Sequence, residues 1–373
     1  MAIHISELSV DTYRGIKNLK IDNLADINII TGDNNAGKTS ILELIQNLND
    51  VIDINTWLSP ARGIYERISK YEKMENLFNI NNDDKCVSYA VTMRENAKRL
   101  KIGLKADKEL LTLSKNEMLE IQGVLDSAGR EILNNYASSE NEKIIEDVER
   151  YVFEIYCNDE CNKKGIIYNF TQARIRSSKE ESLNIIKTIY ISPVQHAEGR
   201  MFLSDVLDDA ELYQEMLEVL KEFDENIISI NADKTNNLFS STAIYKILSK
   251  NQKRALPLNV YGDGMKKAVL LMSAVVKAKD GILILDEFET AIHTSAMDRV
   301  FRWILESCKK LNVQLFITSH SKEAIDKVLK CAPELQNSMR LITLYKKPDK
   351  VVARVLDGVE AIETQDELGL ELR

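Results

Sequence analysis

The chain has 373 residues, 44% of them hydrophobic and 29% charged, and a formal net charge of −9. It is long enough for one large α/β domain or a core domain with a smaller one, and the charge excludes a uniformly basic nucleic-acid surface while leaving room for a local basic groove. No apolar run approaches the roughly 20 residues of a membrane helix, and nothing resembles a signal peptide. The five cysteines include one close pair, Cys157 and Cys161, without the second pair a zinc site needs. The expectation is a cytoplasmic protein with free thiols and no membrane association.

In chain order, residues 3–8 and 19–21 are strand-like and flank the segment Tyr13-Arg14-Gly15-Ile16-Lys17-Asn18-Leu19. Residues 27–30 form a short apolar strand. The next stretch is Gly32-Asp33-Asn34-Asn35-Ala36-Gly37-Lys38-Thr39, followed by Ser40 and a helix reaching about residue 48. Strand, Gly-rich loop and helix are the context of a phosphate loop of the Walker A type. Successive backbone N–H groups there cradle an anion, and the helix N-terminus adds its dipole. Lys38 supplies charge to the β- and γ-phosphates of ATP, and the Thr39 hydroxyl is placed for Mg²⁺.

Residues 50–150 are weakly patterned. They predict a helix over 65–78, strands over 87–93 and 100–104, a further hairpin over 110–121 and a polar helical intermission over 130–149. Strands at 151–156 and 165–170 close this part as an antiparallel sheet. A strand at 188–192 ends at Pro193, and residues 203–248 read as a helical subdomain without a heptad run. From 260 onward the rhythm is α/β. Helices are expected over 266–276, 295–311 and 322–331, strands over 281–285 and 314–318, and a terminal hairpin pairs 341–345 with 351–355 across Pro348-Asp349. Residues 360–373 are an acidic helix or a tail.

The second half carries the remaining chemistry. Ile282-Leu283-Ile284-Leu285-Asp286-Glu287 is a Walker B segment, in which a buried strand delivers Asp286 to Mg²⁺ and Glu287 to the attacking water as its base. The strand 315–318 ends in Ser319-His320-Ser321, where His320 can donate to a γ-phosphate. Gly262-Asp263-Gly264 opens a helix and offers a second anion cradle. One nucleotide needs one cradle, so a second implies ATP held between two copies of the chain.

These motifs resemble the non-transporter ATP-binding-cassette ATPases: RecF- and SMC-like proteins, and above all the ATPase domains of OLD-type anti-phage nucleases. The resemblance spans residues 13–320. It implies an α/β P-loop fold with a strand-rich insertion and a helical subdomain. The parts would be a first core half at 1–50, the insertion at 51–190, the helical part at 191–258, the second core half at 259–356 and an acidic end at 357–373. Gly262-Asp263-Gly264 occupies the place of the signature loop, Ala291-Ile292-His293 that of the D-loop, and Arg14 that of an arginine near the phosphates. The signature serine is missing, and Gln195 is a loop glutamine with no secure Q-loop role. Residues 321–373 are too few for the Toprim-type nuclease domain of OLD enzymes, so an ATPase without its own nuclease is expected.

The resemblance implies three functions. One is a sensor ATPase in anti-phage defence, similar to the ATPase subunits of PARIS and Septu. It would form at least a homodimer, hold a separate effector such as a nuclease and respond to a phage-encoded trigger. The second is a RecF-like clamp on DNA, for which Arg94, Lys98, Arg99, Lys101 and Lys105, and Arg174, Arg176 and Lys179, are basic clusters. The third is a scaffold with slow ATP turnover.

Overall fold

Alternation along the short apolar strands decides the architecture. Ile29, Leu283, Leu285, Leu315 and Ile317 point to one side of a sheet, and Ile30, Ile282, Ile284, Phe316 and Ile342 to the other, so each face enters a different hydrophobic core. The computed structural model describes residues 4–59, 68–79, 84–121, 145–170, 182–195, 201–234, 243–290, 292, 294–348 and 350–368.

The first elements are β1 (Ile5–Tyr13), β2 (Ile16–Ile21), β3 (Ile27–Gly32), α1 (Lys38–Gln46), α2 (Ile54–Leu58) and α3 (Lys70–Glu75). The helix expected over 65–78 is therefore shorter. Ser69 starts it with a reciprocal cap to Glu72, and residues 60–67 lie outside the described part. Next come β4 (Cys86–Met93), β5 (Arg99–Ser114), α4 (Lys115–Ile121), β6 (Ile145–Cys157) and β7 (Glu160–Tyr168). No hairpin occupies 110–121. β5 runs straight to Ser114, whose backbone N–H donates to Glu117 Oε2 at 2.7 Å and starts α4. Residues 122–144 lie outside the described part, and 145–149, read as helical, are strand. They pair with β5 from Ser114↔Ile145 to Leu110↔Glu149.

β8 (Thr188–Ile191) is followed by α5 (Leu203–Leu207) and α6 (Ala210–Leu220), then by β9 (Ile227–Lys234), β10 (Ala243–Ser249) and β11 (Leu256–Pro257). The helical reading of 203–248 thus fails beyond Leu220. β-branched residues favour strands there: Ile230 and Ile247 are register partners and fully buried, while Ile244 and Ile228, the latter beside a register shift, are exposed. The Tyr213 hydroxyl of α6 also engages both backbone groups of Ile230. The chain closes with α7 (Asp263–Lys277), β12 (Ile282–Leu285), α8 (Thr294–Lys310), β13 (Gln314–Thr318), α9 (Lys322–Cys331), β14 (Met339–Lys346), β15 (Val351–Asp357) and α10 (Gly358–Leu368).

β1 and β2 belong to an antiparallel sheet of order β2-β1-β4-β5-β6-β7, and the central sheet has the order β15-β14-β3-β13-β12-β8. Its strands are parallel except for β15. α7, α8 and α9 cover one face; α1 and the antiparallel sheet cover the other. The C-terminal ends of β3, β13 and β12, adjacent strands drawn from both halves of the chain, therefore open side by side, where α/β sheets bind ligands. Among the described residues no helix is long and apolar enough to cross a membrane.

Candidate nucleotide site

Over those strand ends lies a cleft of about 920 Å³. Residues 34–40 form its floor, and Arg14, Glu287 and His320 stand in its walls. The loop needs backbone angles that side chains resist: Gly32 lies at φ 129° and Gly37 at φ 94°. Gly37 caps α1, so the helix begins at Lys38, and its first residues, Lys38, Thr39 and Ser40, line the cleft. Lys38 is 7% exposed, and its ammonium donates to Gly32 O at 2.7 Å and to Asp33 O at 2.9 Å. A phosphate oxygen entering the cradle would compete with these carbonyls for a charged donor.

β12 and β13 lead to Glu287 and His320 in the opposing wall, and Asp286 lies buried beside them, outside the cleft lining. Asp286 is 1% exposed. Thr318 Oγ1 donates to its Oδ1 at 2.6 Å, and the Tyr190 hydroxyl donates to its Oδ2 at 3.0 Å. Both donors come from flanking strands, β13 and β8. Thr318 Oγ1 also accepts from the Glu287 backbone N–H at 2.9 Å. Glu287 sits at φ 45°, left-handed backbone that costs a non-glycine residue about 1 kcal/mol or more. That turn aims its carboxylate into the cleft, 3.9 Å from His320 Nε2. Glu289 Oε1 holds the His320 turn by accepting from Ser319 Oγ at 2.8 Å and from the His320 backbone N–H at 3.2 Å.

Lys267 was not legible in the sequence. It is fully buried in α7, where Met265 to Val276 are buried except for Lys266. Lys266 turns outward to pair with Asp263 at 2.6 Å. Lys267, one position on, points inward, and its ammonium donates to Pro193 O at 3.3 Å. Burial pulls its pKa down to about 8, against the raising influence of Glu289, Asp286 and Glu287. Below about pH 8 Lys267 is charged in both folded and unfolded chains, and the full cost of burying the charge falls on the folded state. Between pH 8 and its ordinary 10.5 the folded chain has shed a proton the unfolded chain keeps, so stability rises with pH. Urea unfolding of Lys267→Met and the wild type should show the variant's relative advantage shrinking by roughly 2–3 kcal/mol from pH 7 to pH 10. A pH-independent difference would exclude this.

Arg14 heads the β1–β2 turn at φ 50°. Its guanidinium pairs with Glu43 of α1 at 2.7 Å, and the Tyr13 hydroxyl donates to the same oxygen at 3.0 Å. Arg14 therefore braces the helix behind the phosphate loop while lining the cleft. Gly262, Asp263 and Gly264 are not in its wall. They start α7, and a Cβ built on Gly262 would meet nothing within 4 Å. Gln195 closes its own turn, accepting from the Ser192 N–H at 3.3 Å. Ala291 and His293 of the expected D-loop lie outside the described residues, as do Arg174, Arg176 and Lys179. Arg94, Lys98, Arg99, Lys101 and Lys105 are exposed along the β4–β5 hairpin. Cys157 is buried and Cys161 exposed.

Sequence reasoning also missed Lys17, Asn76 and Asn79 in the cleft wall, and Lys346, Lys347 and Lys350 from the last hairpin. Their only signal was charge or amide character in a turn or at a strand end beside one.

The chain is similar to an ATP/GTP phosphatase of Helicobacter pylori, 26% identical over 95% of this chain and 96% of that protein. It is also similar to the DNA replication and repair protein RecF of Rickettsia typhi, 23% identical over 87% of this chain and 96% of that one. Among solved structures, an SMC head bound to the C-terminal winged-helix domain of ScpA has the same fold. The TM-score is 0.50 at 12% identity, covering 96% of this chain and 99% of that one. The fold is an SMC head-like P-loop ATPase fold. The AAA ATPase domain family matches residues 3–325, and the chain belongs to that family.

Proposed function

We propose that the chain binds Mg·ATP in this cleft and hydrolyses it, with two copies closing around the nucleotide. The observation that carries the reading is the meeting of Glu287 and His320 with the Lys38 loop in one cleft. Glu287 is the base that takes a proton from the attacking water, Lys38 holds the β/γ-phosphates, and His320 donates to the γ-phosphate. The residues fit Mg²⁺: the Thr39 hydroxyl and the Asp286 carboxylate are hard oxygen donors, and each Asp286 oxygen is already steered by a hydroxyl. When bound, Mg²⁺ neutralises charge developing on the phosphate oxygens. Phosphate release from ATP, measured with Mg²⁺ and with excess EDTA, tests this; equal rates in both would overturn it.

His320→Ala should slow turnover and weaken ATP binding more than ADP binding, because only the γ-phosphate meets the imidazole. Equal losses for the two nucleotides, measured by titration, would remove His320 from that role. The open surroundings of Gly262 support an approach of the partner copy's nucleotide to the start of α7. Sedimentation of the ATP-loaded protein should then give at least a dimer.

The finer reading is a regulatory ATPase of anti-phage defence. The antiparallel sheet and the region from 191 to 258 would hold a separate effector, such as a nuclease, or a phage-encoded trigger. Copurification of a neighbouring gene's product, controlled by the ATP state, tests it. The likeness to RecF supports a second reading, an ATP-dependent clamp on duplex DNA. Steeply salt-dependent DNA binding by the ATP-bound dimer, with no copurifying protein, would favour the clamp.

A further inference from the structure

The last hairpin brings charge to the nucleotide cleft from a second direction. β14 runs parallel to β3 with Leu344 beside Gly32. The two backbones approach so closely that a Cβ on Gly32 would stand 2.2 Å from Leu344 O. The chain beyond Leu344 therefore emerges next to the phosphate loop. It carries Lys346, Lys347, Pro348 and, after Asp349, Lys350. The Lys347 N–H donates to Lys350 O at 2.8 Å, which ties the end of β14 to the start of β15 and keeps the lysines close together. All three are exposed and line the cleft.

The charge balance of the wall is lopsided. In a chain of net charge −9, the described wall contains Arg14, Lys17, Lys38, Lys346, Lys347 and Lys350 against the single carboxylate of Glu287. Arg14 is committed to Glu43 and Lys38 to the loop. The hairpin lysines thus add positive charge where a concave, low-dielectric wall focuses its field.

We infer that the Lys346-Lys347-Lys350 turn is a second contact set for the nucleotide, engaging the polyphosphate and sugar end of a nucleoside triphosphate beside the Walker A loop. This rests on the proposed ATP site. The phosphate loop cradles the triphosphate through backbone donors, and the lysine turn adds long-range attraction that grows with phosphate count. Affinity should fall from tri- to di- to monophosphate more steeply than with the loop alone, and it should depend on salt.

The test is titration of fluorescent Mg·ATP and Mg·ADP at low and high salt. The proteins are the wild type, a Lys346→Ala/Lys347→Ala/Lys350→Ala triple variant, the corresponding triple Arg variant and Lys38→Ala. The Ala triple should bind ATP about 10-fold more weakly at low salt, with a shallower salt dependence and a smaller ATP-over-ADP preference. The Arg triple should retain most of the affinity. Unchanged ATP binding in the Ala triple, with Lys38→Ala still impaired, would overturn the inference and leave the ATP site standing. Unchanged binding in both would overturn the site itself. An Ala triple that keeps ATP but loses duplex DNA would assign these lysines to a polynucleotide and also overturn the inference.

Discussion

Glu287→Gln is expected to keep Mg·ATP binding near the wild-type level and to lower its hydrolysis about 10²–10⁴-fold. The amide keeps the size of the carboxylate and can still orient a water, but it cannot take the proton. The Glu287 backbone is pinned independently of the side chain, by the N–H to Thr318 Oγ1 bond at 2.9 Å. The turn should therefore survive the change, and so should the placement of Asp286, which shares Thr318. The phosphate loop, residues 34–40 of the cleft lining, is untouched by the change. Single-turnover phosphate release beside equilibrium ATP titration separates the two effects. Wild-type turnover in the variant would remove Glu287 from the chemistry, and loss of ATP binding would show a structural role instead.

Lys38→Ala should abolish tight ATP binding, with an affinity loss of about 10²-fold or more. A hydrogen bond to a charged group is worth about 1.5–3 kcal/mol, and in the proposed complex one ammonium would serve more than one phosphate oxygen. The substitution also frees Gly32 O and Asp33 O from their donor, so part of the loss arises from a looser loop. Lys38→Met fills more of the space left by the stem, and a Met variant as impaired as the Ala variant would assign the loss to charge. Full ATP affinity in either variant, with an unchanged melting temperature, would refute a phosphate loop here.

The site was legible where chemistry is local in sequence. Gly32 to Thr39 and Asp286-Glu287 each carry their own strand and their own turn, and the structure sets both at the same end of the central sheet, on strands separated only by β13. Groups that depend on neighbours distant in the chain were not legible. Tyr190 reaches Asp286 only because β8 runs beside β12 in register. Glu289 holds the His320 turn only because β12 and β13 are paired. Lys266 and Lys267 are alike as letters, and roughly 100° of helix rotation separates a surface ion pair from a buried cation. In the fold, β9 and β10 were lost for the same reason. Short apolar runs suit either periodicity, and the cross-strand partner decides between them.

The order of strands in the central sheet also bears on how the chain is made. β3 is synthesised early, yet its two neighbours there are β13 and β14, from residues 314–318 and 339–346. At about 5–20 residues per second, translation separates the strand from those partners by on the order of tens of seconds. During that interval both edges of an apolar strand carrying Ile27, Ile29 and Ile30 lack their final hydrogen bonds, the condition that invites association between nascent chains. The antiparallel sheet escapes this delay, since its last strand ends at Tyr168 and most of its pairings join consecutive strands. It packs in the same core as Ile30 and α1, and so can shelter one face of β3 on the ribosome. Nucleotide should not assist at that stage, because the strand that leads into the loop still lacks both of its neighbours, β13 and β14. Nascent chains truncated shortly before β12 should therefore aggregate more readily than full-length ones and gain no protection from ATP.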